Sequence, residues 1–457
     1  MKILQHFLSH LSLIIFLCSC TFFPAIGGNY NDNKSDYTAS KDTKLGIENQ
    51  IQDNSIQFEN RNYKNDIQST QLYPKEDPLA LPIIFLNDQK QLSLHFDVMN
   101  GKRQTYSYKF IHCNSDWEPS DLHSSEYIRG YAHGFIEDYS FSFNTLFSYI
   151  HYSMDFPNRD ISFLKSGNYI VKVYANNNED DLLLTRRFFV VDKKIGIQPE
   201  IKMGTMARYR DLKQEIDFKL QLHNYPIQDP YREIKVVISQ NGRWDNSIDD
   251  LKPIFVRNNE LVYDYEEENL FNGYNEFRYF DTKDLHYSPI YIDRITILNN
   301  QTHVFVTPQG SRSHKRYYSQ NDINGKRLIK RDNSRDSNNE ADYVIAHFTL
   351  KYAEELSNTD LYVFGELSDW QYKEEFKMNY DPIEEEYELS VLLKQGYYNY
   401  MYAAVPKGKT TGDLSIIEGT HSETENDYYF FVYQRKFGES YDRLIGFTQS
   451  NSIRDMK

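Results

Sequence analysis

The 457-residue chain carries 51 basic and 66 acidic side chains, for a formal net charge of −15, and three cysteines, Cys18, Cys20 and Cys113. Such an acidic balance argues against nucleic acid as a partner, and 40% hydrophobic with 15% aromatic residues supports ordinary cores in about two to four domains. The fold must be held by those cores, because removal of Cys18 and acylation of Cys20 would leave Cys113 without a disulfide partner.

The first stretch, "MKILQHFLSHLSLIIFLCSC", places Lys2 ahead of an apolar run, Leu11 to Leu17, too short to anchor in a bilayer. Residues 1–20 are therefore predicted to be a lipoprotein-type signal peptide. Leu17-Cys18-Ser19-Cys20 has the form of a bacterial lipobox with Cys20 as the acylated residue, and ordinary cleavage after Ala25 is the other reading. Either way the protein leaves the cytoplasm. No later stretch is apolar enough to span, so a lipid on Cys20 would tether the protein to a membrane without threading it. Residues 21–73, rich in Asn, Asp, Lys, Ser and Gln, cannot bury enough surface to offset their ordering entropy, and are expected to be a flexible tether.

From Pro74 onward, short alternating runs rich in Tyr, Phe, Val and Ile are broken by Asn, Gly, Asp and Pro clusters, which predicts strands. "QLSLHFDVM" (91–99) sets Leu92, Leu94, Phe96 and Val98 on one face; "YIVKVYA" (169–175) does the same with Tyr169, Val171, Val173 and Ala175. The strands group into blocks of roughly 105 to 120 residues, as expected for an all-β chain of three consecutive immunoglobulin-like β-sandwiches. The boundaries read as 74–195, 196–306 and 341–450, with a polar, locally basic linker at 307–340 carrying Lys315, Arg316, Lys326, Arg327, Lys330 and Arg331. Asn241-Gly242 and Asn258-Asn259 signal tight turns.

"IHCNSDWEPS" (111–120) holds the ingredients of a thiol hydrolase or a metal site. Neighbouring residues of a strand point to opposite faces, so His112 and Cys113 cannot converge on one atom. If the strand runs through Tyr106, Tyr108, Phe110 and His112 on one face, Cys113 lies beside Ile111 on the other, as a small buried hydrophobe. Asn114, Ser115 and Asp116 suit a turn, and Trp117 a packing role above it. The acidic clusters at 248–250, 266–269 and 384–387 lack the oxygen-ligand spacing of a calcium loop. No phosphate loop, HExxH, GxSxG or CxxC occurs. The chemistry predicts a binding or structural protein, not an enzyme, with no cofactor, no metal and no small-molecule substrate.

Longer motifs are more specific. "IHCNSDWEPSDLHSSEYIRG", "IEDYSFSFNTLFSYIHYSMDFPN" and "SGNYIVKVY" closely resemble the N-terminal domain of the plug protein family of the Bacteroidota type IX secretion system. "QNGRWDNSI", "ELVYDYEEENLFNGYNEFRYFD", "LKQGYYNYMY" and "EGTHSETENDYYFFVYQRKFGESYDRLIGF" extend the likeness over about residues 75 to 447. The departures are the segment 307–340 and the long tether, which bear on the orientation of the third domain. The resemblance implies a non-enzymatic periplasmic subunit, held at the inner face of the outer membrane if Cys20 is acylated. Its partner would be the giant outer-membrane β-barrel translocon, whose periplasmic mouth it would seal when the cargo shuttle is absent. The motif residues, namely His112, Cys113, Asn114, Asp116 and Trp117, then Gly167, Asn168 and Tyr169, Asn241, Gly242, Arg243, Trp244 and Asp245, and Asn275, Glu276, Phe277, Arg278 and Tyr279, are expected to pack, pair or turn the chain.

The third block offers a rival reading. "LYVFGELSDWQYKEEFKMNYDPIEEEYELSVLLKQGYYNYMYAA" also resembles the early-set sandwich of glycogen-binding modules, in which an exposed Trp370 would stack on a sugar ring. The protein would then be an outer-membrane-anchored carbohydrate-binding lipoprotein. Packing of Trp370 against its own turn is the structural alternative.

Overall fold

Many strands alternate core-facing and outward-facing side chains, whereas Gly167–Ala175 and Asp427–Gln434 are buried at every position. A computed structural model describes residues 55–99 and 101–454. The expected signal peptide, Cys20 and most of the tether lie outside the described residues.

In the first sandwich, one sheet runs in the order Arg61–Asn62, Leu182–Val191, Gly167–Ala175, Tyr106–Cys113, His133–Ile136, with Ile83–Phe85 added in parallel. The facing sheet runs Ile67–Pro74, Leu92–Met99, Tyr149–Phe156, Asp138–Phe141. Leu92, Leu94, Phe96 and Val98 meet Tyr106, Tyr108, Phe110, Tyr169, Val171 and Val173 in one core, the faces expected from their alternation. The tether ends earlier than expected. Residues 67–74, placed in it by their polar composition, form a sheet strand, whose alternation is hidden by a bulge between Gln68 and Gln71 with Ser69 at φ 49°.

The chain is all-β and builds three sandwiches, but the sheets do not respect the expected block boundaries. One sheet of the middle sandwich contains Gly196–Met203, Lys213–Gln221, Glu260–Tyr263 and Phe255–Arg257, with Leu270–Asn272 on Lys213–Gln221. The other pairs Ile234–Gln240 with Asp427–Gln434, which pairs in turn with Arg443–Asn451. Two of its three strands therefore come from the end of the chain, expected in the third domain. Conversely, Arg278–Asp281, Ile292–Leu298 and Gln301–Val306, expected in the second block, belong to the third sandwich. Periodicity reports how a strand is buried and carries no information on which distant strand it pairs with.

The third sandwich is thus inserted into the middle one. Its sheets are built around Tyr343–Lys351 paired with Glu386–Lys394, and around Gly396–Pro406 flanked by Arg278–Asp281, Arg327–Ile329 and Thr359–Phe364. The outgoing and returning connections run side by side: the Tyr274 nitrogen donates to Thr420 Oγ1 (3.0 Å), and the His421 nitrogen donates to the Tyr274 carbonyl (2.8 Å).

Segment 307–340 is not a solvated linker. Gln309–Gly310 lies parallel to Tyr343–Lys351, and Arg327–Ile329 pairs with Gly396–Pro406. Lys315, Arg316 and Lys330 face solvent. Arg327 is buried and donates to the Thr70 carbonyl (2.7 Å), Arg331 donates to the Glu340 carbonyl (2.7 Å), and Lys326 lies 3.6 Å from Asp427.

Deletion of residues 427–457 is expected to unfold the middle sandwich, because it removes two of the three strands of one sheet. Limited proteolysis with mass spectrometry should then find cleavage throughout the middle sandwich. Protection of that region in the truncated protein would contradict the strand pairing.

Candidate functional site at the seams between sandwiches

The family-like motifs converge on two seams. At the first, between the first and middle sandwiches, the outer faces of two sheets meet: Cys113, Ile170, Phe189 and Val191 pack against Val237, Phe431, Tyr433 and Leu444. Trp117, which follows the Asn114 to Asp116 turn at φ 70°, seats its ring edge-on to Phe189 (5.3 Å) and to Trp244 of the middle sandwich (5.6 Å). The Arg187 guanidinium lies 4.2 Å from the Trp117 ring centre. Polar groups close the rim. Tyr433 donates to Asn168 Oδ1 (2.7 Å), Asn168 Nδ2 donates to the Asn114 carbonyl (3.0 Å), and the Ser115 nitrogen donates to Asp442 Oδ2 (2.9 Å).

His112 and Cys113 face opposite ways, as strand geometry requires, and both are buried. His112 Nε2 lies 3.2 Å from the Ser166 carbonyl and Nδ1 lies 2.8 Å from Ser120 Oγ. A carbonyl only accepts, so the proton sits on Nε2 and Nδ1 accepts from the serine. Burial lowers the imidazole pKa to about 4 and pushes the Cys113 thiol up to about 12, which leaves both groups neutral and the thiol unreactive. Gly167, at φ +151°, passes so close to His112 that a Cβ would fall 2.4 Å from Nε2. Tyr169 lies in the first core and donates to the Lys165 carbonyl (2.9 Å). Asp116 is exposed and accepts from the Glu118 nitrogen (3.1 Å).

The second seam joins the middle and third sandwiches. Arg243 is buried and forms a bidentate pair with Asp245 (2.7 and 2.6 Å), to which Tyr372 of the third sandwich also donates (2.6 Å). Burial works against the charge on Asp245, yet Arg243 holds its carboxyl below the ordinary range. Asn241 Nδ2 donates to Asn426 Oδ1 (2.7 Å), and Gly242 turns the chain at φ 80°. Asn275 donates to the Glu418 carbonyl (2.8 Å), Glu276 accepts from Tyr317 (2.5 Å), and Phe277 meets Trp370 edge-on at 6.0 Å. Arg278 pairs with the fully buried Glu418 at 3.0 Å, and Arg312 adds a second cation at 2.7 Å. Tyr279 lies outside the seam, stacked on Tyr397 at 5.4 Å. Trp370 is partly buried, edge-on to Phe277 and Phe364, and a Cβ on Gly325 would fall 2.2 Å from its ring.

A third contact joins the first and third sandwiches. Asp97 is buried; Oδ2 accepts from Lys394 Nζ (2.6 Å) and from the Tyr343 hydroxyl (2.6 Å), and Oδ1 from His151 Nδ1 (2.7 Å). His151 Nε2 lies 3.0 Å from His95 Nδ1, within hydrogen-bond reach. Lys394 also sits 4.1 Å from the Tyr149 ring centre. Burial opposes the charge on Asp97, but Lys394 and His151 hold it below the ordinary carboxylate range. Burial and the adjacent His151 lower His95 to about 4. These residues lie on four strands, His95 with Asp97 and Tyr149 with His151 two apart and Tyr343 and Lys394 alone, and their local spacing does not show that the strands meet.

Two predictions follow from this chemistry. Asp97→Ala strands a buried ammonium and is expected to cost about 3–5 kcal/mol; in chemical denaturation the Asp97→Ala/Lys394→Met double variant should cost less than the sum of the single changes. Acidification is expected to destabilise the protein. Above pH 6.5 neither state protonates His95 or His112; below it the unfolded chain takes protons that the fold refuses until about pH 4. The loss should be roughly 2 kcal/mol per histidine between pH 7 and 5, read from urea midpoints, and His95→Gln should flatten that slope.

Comparison with known proteins agrees with this architecture. Residues 67–192, from the strand Ile67–Pro74 through Leu182–Val191 of the first sandwich, match the type 9 secretion system plug protein 1st domain. No curated protein matches the chain. The crystal structure of a hypothetical protein from Parabacteroides merdae ATCC 43184, determined at 2.30 Å, superposes with a TM-score of 0.84 at 32% identity, covering 87% of this chain and 100% of that one. The three-sandwich body is therefore shared with a solved protein over nearly its whole length, and with its first sandwich matching that domain, the chain belongs to the type 9 secretion system plug protein family.

Proposed function

We propose that this protein is the non-enzymatic plug that occupies the periplasmic mouth of the outer-membrane β-barrel translocon and seals it when the cargo shuttle is absent. Membership of the family assigns it a role in type 9 secretion; the partner and the sealing action are our reading. The observation that carries it is the fusion of the three sandwiches through an apolar seam, the Tyr372–Asp245 hydrogen bond and the buried Lys394–Asp97 pair. Closing a wide aqueous pore calls for a large surface that is already formed, so that association does not also have to order the plug. Hinged domains would lose that advantage.

The periplasm is the proposed compartment. Among the described residues no helix is long and apolar enough to cross a membrane. A lipid on Cys20 would raise the effective concentration of the body at the pore without adding a contact.

To test this, the C-terminus is tagged in the native host, the outer membrane is gently solubilised, and co-purifying proteins are identified by mass spectrometry. The expected outcome is a stoichiometric, very large β-barrel protein in complexes that lack the shuttle subunit. Recovery of the protein alone would overturn the plug reading.

A further inference from the structure

A cleft of about 300 Å³ opens at the first seam, where the Ser115-Asp116 turn of the first sandwich faces the helical turn Pro230–Glu233 and the start of the strand Ile234–Gln240 in the middle sandwich. Ile234 and Tyr433 contribute to its wall, and charged side chains make up most of the rest. The carboxylates among them are occupied by internal donors. Glu233 is buried and accepts from the Gln228 and Asp229 nitrogens (3.0 Å each) and from Gln434 Nε2 (2.9 Å). Asp442 accepts from the Ser115 nitrogen (2.9 Å) and from Arg435 Nε (2.7 Å). Asp116 caps its own turn.

The cations are not balanced in the same way. Arg435 is engaged by Asp442, and Lys235 pairs with the exposed Asp249 at 2.8 Å. Arg232 and Lys252, both exposed and both lining the cleft, form no ion pair among the described residues. The lining carries four cations, Arg232, Lys235, Lys252 and Arg435, against three carboxylates, Asp116, Glu233 and Asp442, a small positive excess in a chain of net charge −15.

We propose that this cleft receives an acidic side chain, or a pair of them, carried on an extended segment of a partner polypeptide. A carboxylate suits the planar donor fork of Arg232 and the point charge of Lys252. The volume lies at the lower end for ligand pockets, room for a short peptide segment more than for a single small anion. Because the wall comes from two sandwiches, a bound segment would bridge the seam. In a chain of net charge −15 such a contact would favour this cleft as the place where an acidic partner docks.

The test is fluorescence anisotropy of the full chain with a labelled Gly-Glu-Glu-Glu-Gly peptide at low salt. Saturable binding is expected, at least tenfold weaker for Arg232→Ala/Lys252→Ala, and at least tenfold weaker for the wild type with the Gln-substituted peptide. An unchanged melting temperature for the variant would show that the loss is local, as exposure of both side chains leads one to expect. Equal binding by the double variant or by the Gln peptide would overturn the proposal. Displacement of the peptide by equimolar inorganic phosphate would also overturn it, by reducing the cleft to a simple anion site.

Discussion

The body depends on one sheet that is buried on both faces. Ile234–Gln240 and Asp427–Gln434 turn Val236, Ile238, Phe430 and Val432 into the core of the middle sandwich, and Val237, Tyr429, Phe431 and Tyr433 toward the first sandwich. Asp427–Gln434 has no exposed residue and reads as a nearly unbroken apolar run, "DYYFFVYQ", which is what burial of both faces demands. The hydrophobic effect therefore acts across the seam as it does within a domain. The separation into three sandwiches is one of topology more than of stability.

Buried charge then sets how the parts fit. Arg243 with Asp245, Arg278 with Glu418, and Lys394 with Asp97 are each nearly or fully removed from water. Such pairs add little net stability over well-packed hydrophobic residues, because desolvation consumes most of the Coulombic gain. A displaced pair is a different matter, since each partner would be left uncompensated in a low-dielectric interior. The apolar seams hold the sandwiches together with little directional preference, whereas the Lys394–Asp97 pair, the one of the three that joins two sandwiches, tolerates one arrangement of the first and third.

Much of the fold was legible in the sequence, and the reason is local. Leu92, Leu94, Phe96 and Val98 announce a strand because burial on one face imposes a period of two, and the opposite placement of His112 and Cys113 follows from the same geometry. The motif residues were legible as a group, though nothing in their spacing says that Trp117 and Trp244 meet. Illegible were the non-local terms. Pairing of Ile234 with Gln434 spans two hundred residues and leaves no mark on either strand. The segment 307–340 looked like a linker because the partners of Arg327 and Lys326, the Thr70 carbonyl and Asp427, lie in distant parts of the chain. Asp97 and Lys394, 297 residues apart, are each unremarkable in their own strands.

The paired connection at Tyr274 and His421 has a mechanical consequence. A domain joined by one linker can swivel about it, and relative motion is the ordinary expectation for such a joint. Here two chain segments cross together, hydrogen-bonded to each other, so twisting the third sandwich would have to shear that pairing. A load applied to the far end of the third sandwich is transmitted to the middle one as torque on a two-legged mount, and reaches the first through the sheet they share as a common wall.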